Sequence, residues 1–475
     1  MDNILDHSKR HQRFFEEMTR IPHGSYHEQA YGDYLVRFSK ERKLSYRRDA
    51  IGNVVIYKPA SSGHEDRAPL ALQAHMDMVW NKDETARINQ ETDPLELYIE
   101  DGYLHARGTT LGADDGTGVC YMLSILDDPD TVHPPIEAVF TVQEEVGLNG
   151  ALALDPAWIT ARRFISLDCG GGDSIYISSL AGCRGVLHRA YQTVPASGHG
   201  YRLCVSGLTG GYSTNYMKEH ANANHLAAVL LKRLDALCGV RLCAIDGGEA
   251  ENQIAKQCTA VLTTTAEPAA FEAAFQKEAG ALRRELGPAE PELTVSLRET
   301  AVSEQLDEAS SRALLALMFL LPCGFRHRHT KFPEIMSESI NWSMVKTAEG
   351  AVSLTYVLRA SMDSMMDRLK TEISLLQELF GADNETLSSF PAWEFHDSEL
   401  LHTLQRVFAE REGKPLGLEP VQGGLECGVF AQRYPDMDII AMGPFGFDVH
   451  TPQERLDLAN FDSLFLVFQD LLAAL

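Results

Sequence analysis

Leu70-Ala71-Leu72-Gln73-Ala74-His75-Met76-Asp77 is an apolar run of strand length that ends on two side chains able to do chemistry. Similar short runs lie at 53–57, 136–142 and 164–167, and helical stretches near 118–126 and 148–154 alternate with them. Strands alternating with helices predict an α/β domain with a mainly parallel sheet. From about Arg184 the texture changes, with longer alternating strands (201–206, 254–264, 351–360) between long amphipathic helices (219–237, 269–285, 304–320, 363–380). Near Ser389-Phe390-Pro391 the first style returns, with a helix at 398–411, an apolar strand at 438–442 and a closing helix at 453–472. The expected architecture is a discontinuous α/β domain, residues 1–183 and 391–475, into which an α+β domain, residues 184–390, is inserted.

Bulk composition narrows the function. A chain of 475 residues, 44% of them hydrophobic, exceeds the length at which one core stops growing, so at least two domains are expected. The 42 Lys+Arg against 67 Asp+Glu give a net charge of -25, and no basic stripe offsets it. A phosphate backbone would be repelled, which excludes nucleic acid as a partner. The opening MDNILDHSKRHQRFFEEMTR lacks the apolar stretch and cleavage site of a secretory signal, so a cytoplasmic location is expected. The longest apolar run, 313–321, ends at Pro322 and is about half of the ~20 residues a membrane span needs; it reads as a core helix, and no membrane partner is expected. The nine cysteines contain no C-x-x-C pair, which speaks against both a disulfide framework and a Cys-rich metal site.

The chemistry concentrates at strand ends. His75 and Asp77 follow an apolar strand, where open α/β sheets place their ligands, and their spacing of two points both to one side. A metal-bound His commonly donates its second ring N–H to a carboxylate, a role Asp77 fits; alone, H-x-D is weak and more often reads as a surface pair. Leu111-Gly112-Ala113-Asp114-Asp115-Gly116 is a glycine-rich turn entering a helix, where an Asp serves as a ligand or as an N-cap. Thr141-Val142-Gln143-Glu144-Glu145 ends another apolar strand. Adjacent carboxylates cannot readily point the same way, so one can bind metal while the other faces the attacking water. By itself the pair also reads as a solvated acidic strand end. Asp168 ends a fourth apolar run, and His450 lies in Gly443-Pro444-Phe445-Gly446-Phe447-Asp448-Val449-His450-Thr451-Pro452. Together these carboxylates and imidazoles form the mixture that suits zinc.

In their order along the chain, the H-x-D, G-A-D, E-E, L-D and late G-P…H-x-P elements resemble the aminoacyl-histidine dipeptidases, within the wider group of carnosinases, aminoacylases and carboxypeptidase G. The resemblance spans nearly the whole chain. It implies a catalytic domain holding two zinc ions, with manganese or cobalt able to substitute, and an inserted lid domain that carries contacts of a homodimer. It assigns His75 and Asp168 to one zinc, Glu145 and His450 to the other, and Asp114 as the bridge between them. Glu144 would be the general base for attack by a zinc-bound hydroxide on a dipeptide, and Asp77 the orienter of His75. Asn252, Arg359 and the run Gly424-Leu425-Glu426-Cys427-Gly428 match positions that contact substrate.

Several positions depart from the family pattern. Gly210-Gly211-Tyr212-Ser213-Thr214 stands where G-G-H-S-G is usual, so the histidine that faces the developing oxyanion is missing, and Tyr212 and His220 are the residues left to replace it. His220 itself stands for an arginine, Ala255-Lys256 for Pro-Arg, Gln422 for His and Asp115 for Asn. These changes spare the metal set and fall on groups that grip substrate. They leave two other readings open: an amidohydrolase of N-acyl amino acids, which would share every ligand, and a metal-binding relative that has lost turnover.

Overall fold

The computed structural model describes residues 3–213, 216, 220–333, 335–348 and 350–475. The chain divides into two compact units, Met1–Ser179 with Ala392–Leu475, and Leu180–Pro391. The first crossing falls four residues earlier than the change of texture at Arg184. Leu180 alone separates strand Ser174–Ser179 from strand Ala181–Ala190, so no loop marks the boundary.

In the first unit, β1 (Ser45–Arg48), β2 (Val54–Lys58), β3 (Leu70–His75), β4 (Ile136–Thr141), β5 (Arg163–Ser166), β6 (Ser174–Ser179), β7 (Gly417–Val421) and β8 (Asp438–Ala441) form one sheet in the order β1-β2-β4-β3-β5-β8-β6-β7. The middle strands β4, β3, β5 and β8 are parallel, while β1 and β2 extend the sheet antiparallel. Every residue of β3 and β4 is buried, the condition of parallel strands covered on both faces. One cover is α1 (Arg10–Met18) with α2 (Ala113–Asp127), whose Gly118 packs so close to Leu167 that an added Cβ would lie 2.6 Å from it. The other is α3 (Glu426–Arg433), where Phe430 meets Phe164 of β5 at 4.5 Å between ring centroids. Leu167 and Phe164 point to opposite faces by the alternation of a strand. The closing helix α4 (Leu458–Ala474) stacks Phe461 on Tyr121 of α2 at 5.2 Å. Because the four central strands run the same way, their carboxyl ends gather on one edge, and the loops that follow them meet there.

The second unit is a nine-stranded sheet in which every recorded pairing is antiparallel, with helices Ala223–Cys238, Pro268–Leu286, Glu308–Leu320 and Asp363–Phe380. Three expected elements are corrected. Residues 304–306, expected to open a helix, form a strand against Thr193–Pro195; the helix starts after Asp307, whose carboxylate caps the N–H of Ser310 at 2.7 Å. The expected strand 254–264 is two strands, because Gln253–Ile254 leaves the large sheet to pair with Gly211–Tyr212 before Cys258–Thr264 rejoins it. In the first unit, the closing helix begins at Leu458 rather than 453, since Arg455–Asp457 is a strand on Tyr103–Ala106 and Asp457 caps the helix. Glu219, expected to start a helix, lies outside the described residues. Among the described residues no helix is long and apolar enough to cross a membrane.

Candidate metal centre

β3 ends on His75, which is 1% exposed. Its Nδ1 lies 2.9 Å from the main-chain carbonyl of Asp77. A carbonyl only accepts, so Nδ1 carries a proton, and Nε2 lies 3.1 Å from Asp114 Oδ1. Although burial opposes it, Asp114 and Asp77 hold His75 well above the ordinary imidazole range, so without a cation Nε2 is also protonated and donates to Asp114. The expected Asp77 carboxylate is the more distant partner, 3.6 Å from Nδ1. Instead it accepts Ser25 Oγ–H at 2.8 Å and the backbone N–H groups of Glu144 and Glu145 at 2.9 and 3.3 Å. Burial favours its neutral form, but His75 and these donors outweigh burial and hold Asp77 below the ordinary carboxylate range.

Asp114 sits at the head of α2, after the turn Leu111-Gly112-Ala113. Gly112 has φ 72°, the left-handed conformation that favours glycine. The turn is gripped by Glu454, whose carboxylate accepts the N–H groups of Leu111, Gly112 and Ala113 at 2.7, 3.1 and 2.8 Å. Asp114 then turns one oxygen to each of two imidazoles, Oδ1 to His75 and Oδ2 to His450 Nε2 at 3.3 Å. Although burial opposes it, the two imidazoles hold Asp114 far below its usual range. Its neighbour Asp115 accepts the backbone N–H of His75 at 3.3 Å; burial and the nearby Asp168 push it far up.

Past β4, Gln143 has φ 55° and turns the chain so that Glu144 and Glu145 enter the cluster. Glu145 Oε1 lies 2.8 Å from His450 Nε2. Although burial opposes it, Asp114 and this ion pair hold His450 up to about 11. A carboxylate and an imidazole this close can share a proton, or a cation in its place. Burial, with Asp168 and Glu145 nearby, raises Glu144 well above the ordinary range, and burial with Asp114 raises Asp168 to about 8. Among the described residues, three groups have their donor atoms within 4.8 Å of one another: His75, Asp114 and Asp168; Asp114, Glu145 and His450; and His75, Glu144 and Glu145. Asp114, Glu144, Glu145, Asp168 and His450 border a cavity of about 310 Å³ within the first unit, walled on its apolar side by Tyr176, Val421 and Leu456.

Glu426, expected to touch substrate, is taken up by hydrogen bonds within the first unit. It is 1% exposed and accepts Gln73 Nε2–H and Thr141 Oγ1–H at 2.7 and 2.6 Å, with the Ala151 N–H at 3.3 Å; burial pushes it up to about 7. These contacts brace β3 and β4. In the second unit, Tyr212 pairs with Gln253, the Ser213 N–H reaches the Asn252 carbonyl at 2.9 Å, and Arg359 Nε lies 3.4 Å from Ser213 Oγ. Tyr212, Asn252 and Arg359 are thus neighbours. Beside His220, the Glu290 carboxylate accepts the Thr209 and Ala221 N–H groups, both at 2.8 Å, and no recorded hydrogen bond among the described residues ties His220 to the other three. Thr214 lies outside the described residues. Glu454 went unread in the sequence; its one signal was a glutamate closing His450-Thr451-Pro452-Gln453-Glu454, a residue type seldom fully buried unless paired.

The model of peptidase family M20/M25/M40 matches residues 71–474. The chain is 30% identical to the cytosol non-specific dipeptidase of Escherichia coli, over 96% of each chain. Its structure resembles the aminoacylhistidine dipeptidase of Vibrio alginolyticus with a TM-score of 0.88 at 29% identity, covering 98% of this chain and 96% of that one. A more distant likeness, to the aminopeptidase PepT of Bacillus cereus, has a TM-score of 0.57 at 16% identity over 99% and 100% of the two chains, and speaks to the fold alone. With the ligand-bearing loops all inside the matched span, the chain is a peptidase and belongs to family M20/M25/M40.

Proposed function

We propose that this peptidase is a two-zinc dipeptidase of the cytoplasm, acting on Xaa-His or a broader range of dipeptides. The observation that carries the reading is Asp114, which offers one oxygen to a site shared with His75 and Asp168 and the other to a site shared with Glu145 and His450. A bridging carboxylate with an imidazole and a second carboxylate on either side suits a pair of ions roughly 3.5 to 4 Å apart. Zinc fits this nitrogen and oxygen mixture, and manganese or cobalt can substitute. The names of the Escherichia coli and Vibrio alginolyticus relatives support the substrate class and the location.

When bound, the ions supply Lewis-acid polarisation of the scissile carbonyl and a water acidic enough to attack it near neutral pH. The chain's own part is proton handling and orientation. Glu144 takes the proton of the attacking water and returns it to the leaving amine, a task for which a carboxyl raised by burial is well matched. Asp77 fixes the main chain of Glu144 and Glu145 while its carbonyl sets the His75 ring. Tyr212 or His220 would supply the donor to the carbonyl oxygen.

The test is metal analysis of the purified protein together with hydrolysis assays on Xaa-His, other dipeptides and N-acyl amino acids. Two ions per chain and cleavage of free-amino dipeptides are expected. Cleavage of N-acyl amino acids alone would move the protein to the amidohydrolases, and two ions without turnover on either class would make it a binding relative.

A further inference from the structure

We infer that Glu454 is a positioning residue that sets the two halves of the metal centre against each other. The inference rests on the two-ion reading for its consequence, but the clamp itself is a matter of protein geometry. Glu454 is 2% exposed, and its carboxylate accepts three consecutive backbone N–H groups, those of Leu111, Gly112 and Ala113. Those amides belong to the turn that delivers Asp114. Glu454 also closes the loop that delivers His450. The Thr451 N–H meets the Asp448 carbonyl, and the Glu454 N–H meets the Thr451 carbonyl at 3.1 Å; Arg455 pairs with Asp448 across the loop mouth. Strand Arg455–Asp457, fixed on Tyr103–Ala106, anchors the base of the loop, and Asn81 Nδ2 donates to the His450 carbonyl at 2.8 Å.

One carboxylate thereby couples two ligand loops more than 340 residues apart in sequence. The coupling is unequal for the two ions. Of Asp114, Glu145 and His450, two hang on Glu454; of His75, Asp114 and Asp168, only one does. Loss of the clamp should therefore loosen the His450 site first. Partners behind metal ligands typically change metal affinity by about 10- to 100-fold. Glu454→Gln keeps the shape of the side chain but turns an amide group, itself a donor, toward N–H groups that need acceptors.

The experiment strips metal from the full-length wild type and Glu454→Gln with a chelator, titrates each with zinc alone in a calorimeter, and follows amide hydrogen exchange at 111–113 in the metal-free state. The expected result has two parts. Exchange at these three amides rises in the variant, and one of the two zinc affinities weakens by about tenfold or more while the other stays within about threefold. Unchanged exchange at 111–113, or equal weakening of both sites, overturns the inference. A wild type that takes up fewer than two ions overturns the two-ion reading instead, and raised exchange in the variant would still uphold the clamp. If Glu454→Gln does not fold, Glu454→Asp, which keeps the charge on a shorter arm, is read in the same way.

Discussion

From the end of β3, Asp77 reaches the loop after β4, where its carboxylate accepts the backbone N–H of Glu144 at 2.9 Å. The contact fixes the main chain of the proposed general base without touching its side chain. Glu144 is left free to carry a proton, whereas the next residue, Glu145, turns to His450 at 2.8 Å. Both backbones hang on one carboxylate, and both carboxyl groups come within 4.8 Å of His75, so the sequence expectation that adjacent carboxylates point apart does not hold; the proposed division of roles rests on the contact of Glu145 with His450.

Glu144→Gln should therefore keep metal content near that of the wild type while lowering kcat by about 100-fold or more, the scale of a lost general base. The amide has the shape of the acid but cannot take the proton. Glu145→Gln should lose an ion. Metal analysis and steady-state kinetics of both variants check the division, and a metal-deficient Glu144→Gln would reverse the two roles.

His75→Ala and Asp168→Ala should each cost at least one ion, because a three-ligand site does not tolerate the loss of one ligand cheaply. Elemental analysis after gel filtration reads this directly. Two tightly held ions in either variant would show that the cluster His75, Asp114, Asp168 is not a ligand set.

Zinc affinity should rise with pH between about 6 and 8. Without metal, burial and Asp114 raise Asp168 to about 8, so over that range the carboxyl carries a proton that a cation must displace. Calorimetry in two buffers of different ionisation enthalpy would count the protons released. An affinity independent of pH across this window would refute the argument.

Asp115 gives a prediction of the opposite kind, since the family's usual Asn should serve it better in the metal-free state. Burial and Asp168 raise this carboxyl far above its usual range. An acid whose folded pKa is raised binds its proton more tightly folded than unfolded, so stability is lost as pH climbs above the ordinary value of ~3.9. Asp115→Asn removes that loss while keeping an oxygen for the His75 N–H. The thermal midpoint of the metal-free variant should exceed that of the wild type at pH 8, and the gap should close toward pH 4. A variant less stable than the wild type at pH 8 would contradict it.

The proposed ligands are legible because each stands within a few residues of an apolar strand end or in a short motif of its own. His75, Glu145 and Asp168 lie at the ends of β3, β4 and β5, which pattern alone marks out. The buried carboxylates behind them were not readable. Glu454 binds backbone amides, which carry no residue identity, and Glu426 meets Gln73 and Thr141 across 353 and 285 residues. Spacing records which residues share an element, and it does not record what a loop grips on another one. The helix starts at Asp307 and Asp457 were missed for a different reason: apolar periodicity ran on past the caps into short strands.

Tyr212 is where this chain parts most plainly from its relatives, and its setting separates two roles. Its main chain pairs with Gln253, next to Ser213 and Arg359, but the residue is 60% exposed. A tyrosine kept for packing would bury its ring, so the exposed phenol favours a part in substrate contact. Peptide hydrolysis builds negative charge on the carbonyl oxygen, and one well-aimed donor to that charge is commonly worth about 3 to 4 kcal/mol. Tyr212→Phe removes only the O–H. The expected outcome is a fall in kcat of about 100-fold or more, with KM, metal content and thermal midpoint little changed, because such a contact matters mainly in the transition state. Steady-state kinetics on the best dipeptide substrate decide it. Wild-type kcat in Tyr212→Phe would dismiss the phenol as the donor, and the same measurement would then pass to His220→Ala, whose Nδ1 is buried without a hydrogen-bond partner among the described residues.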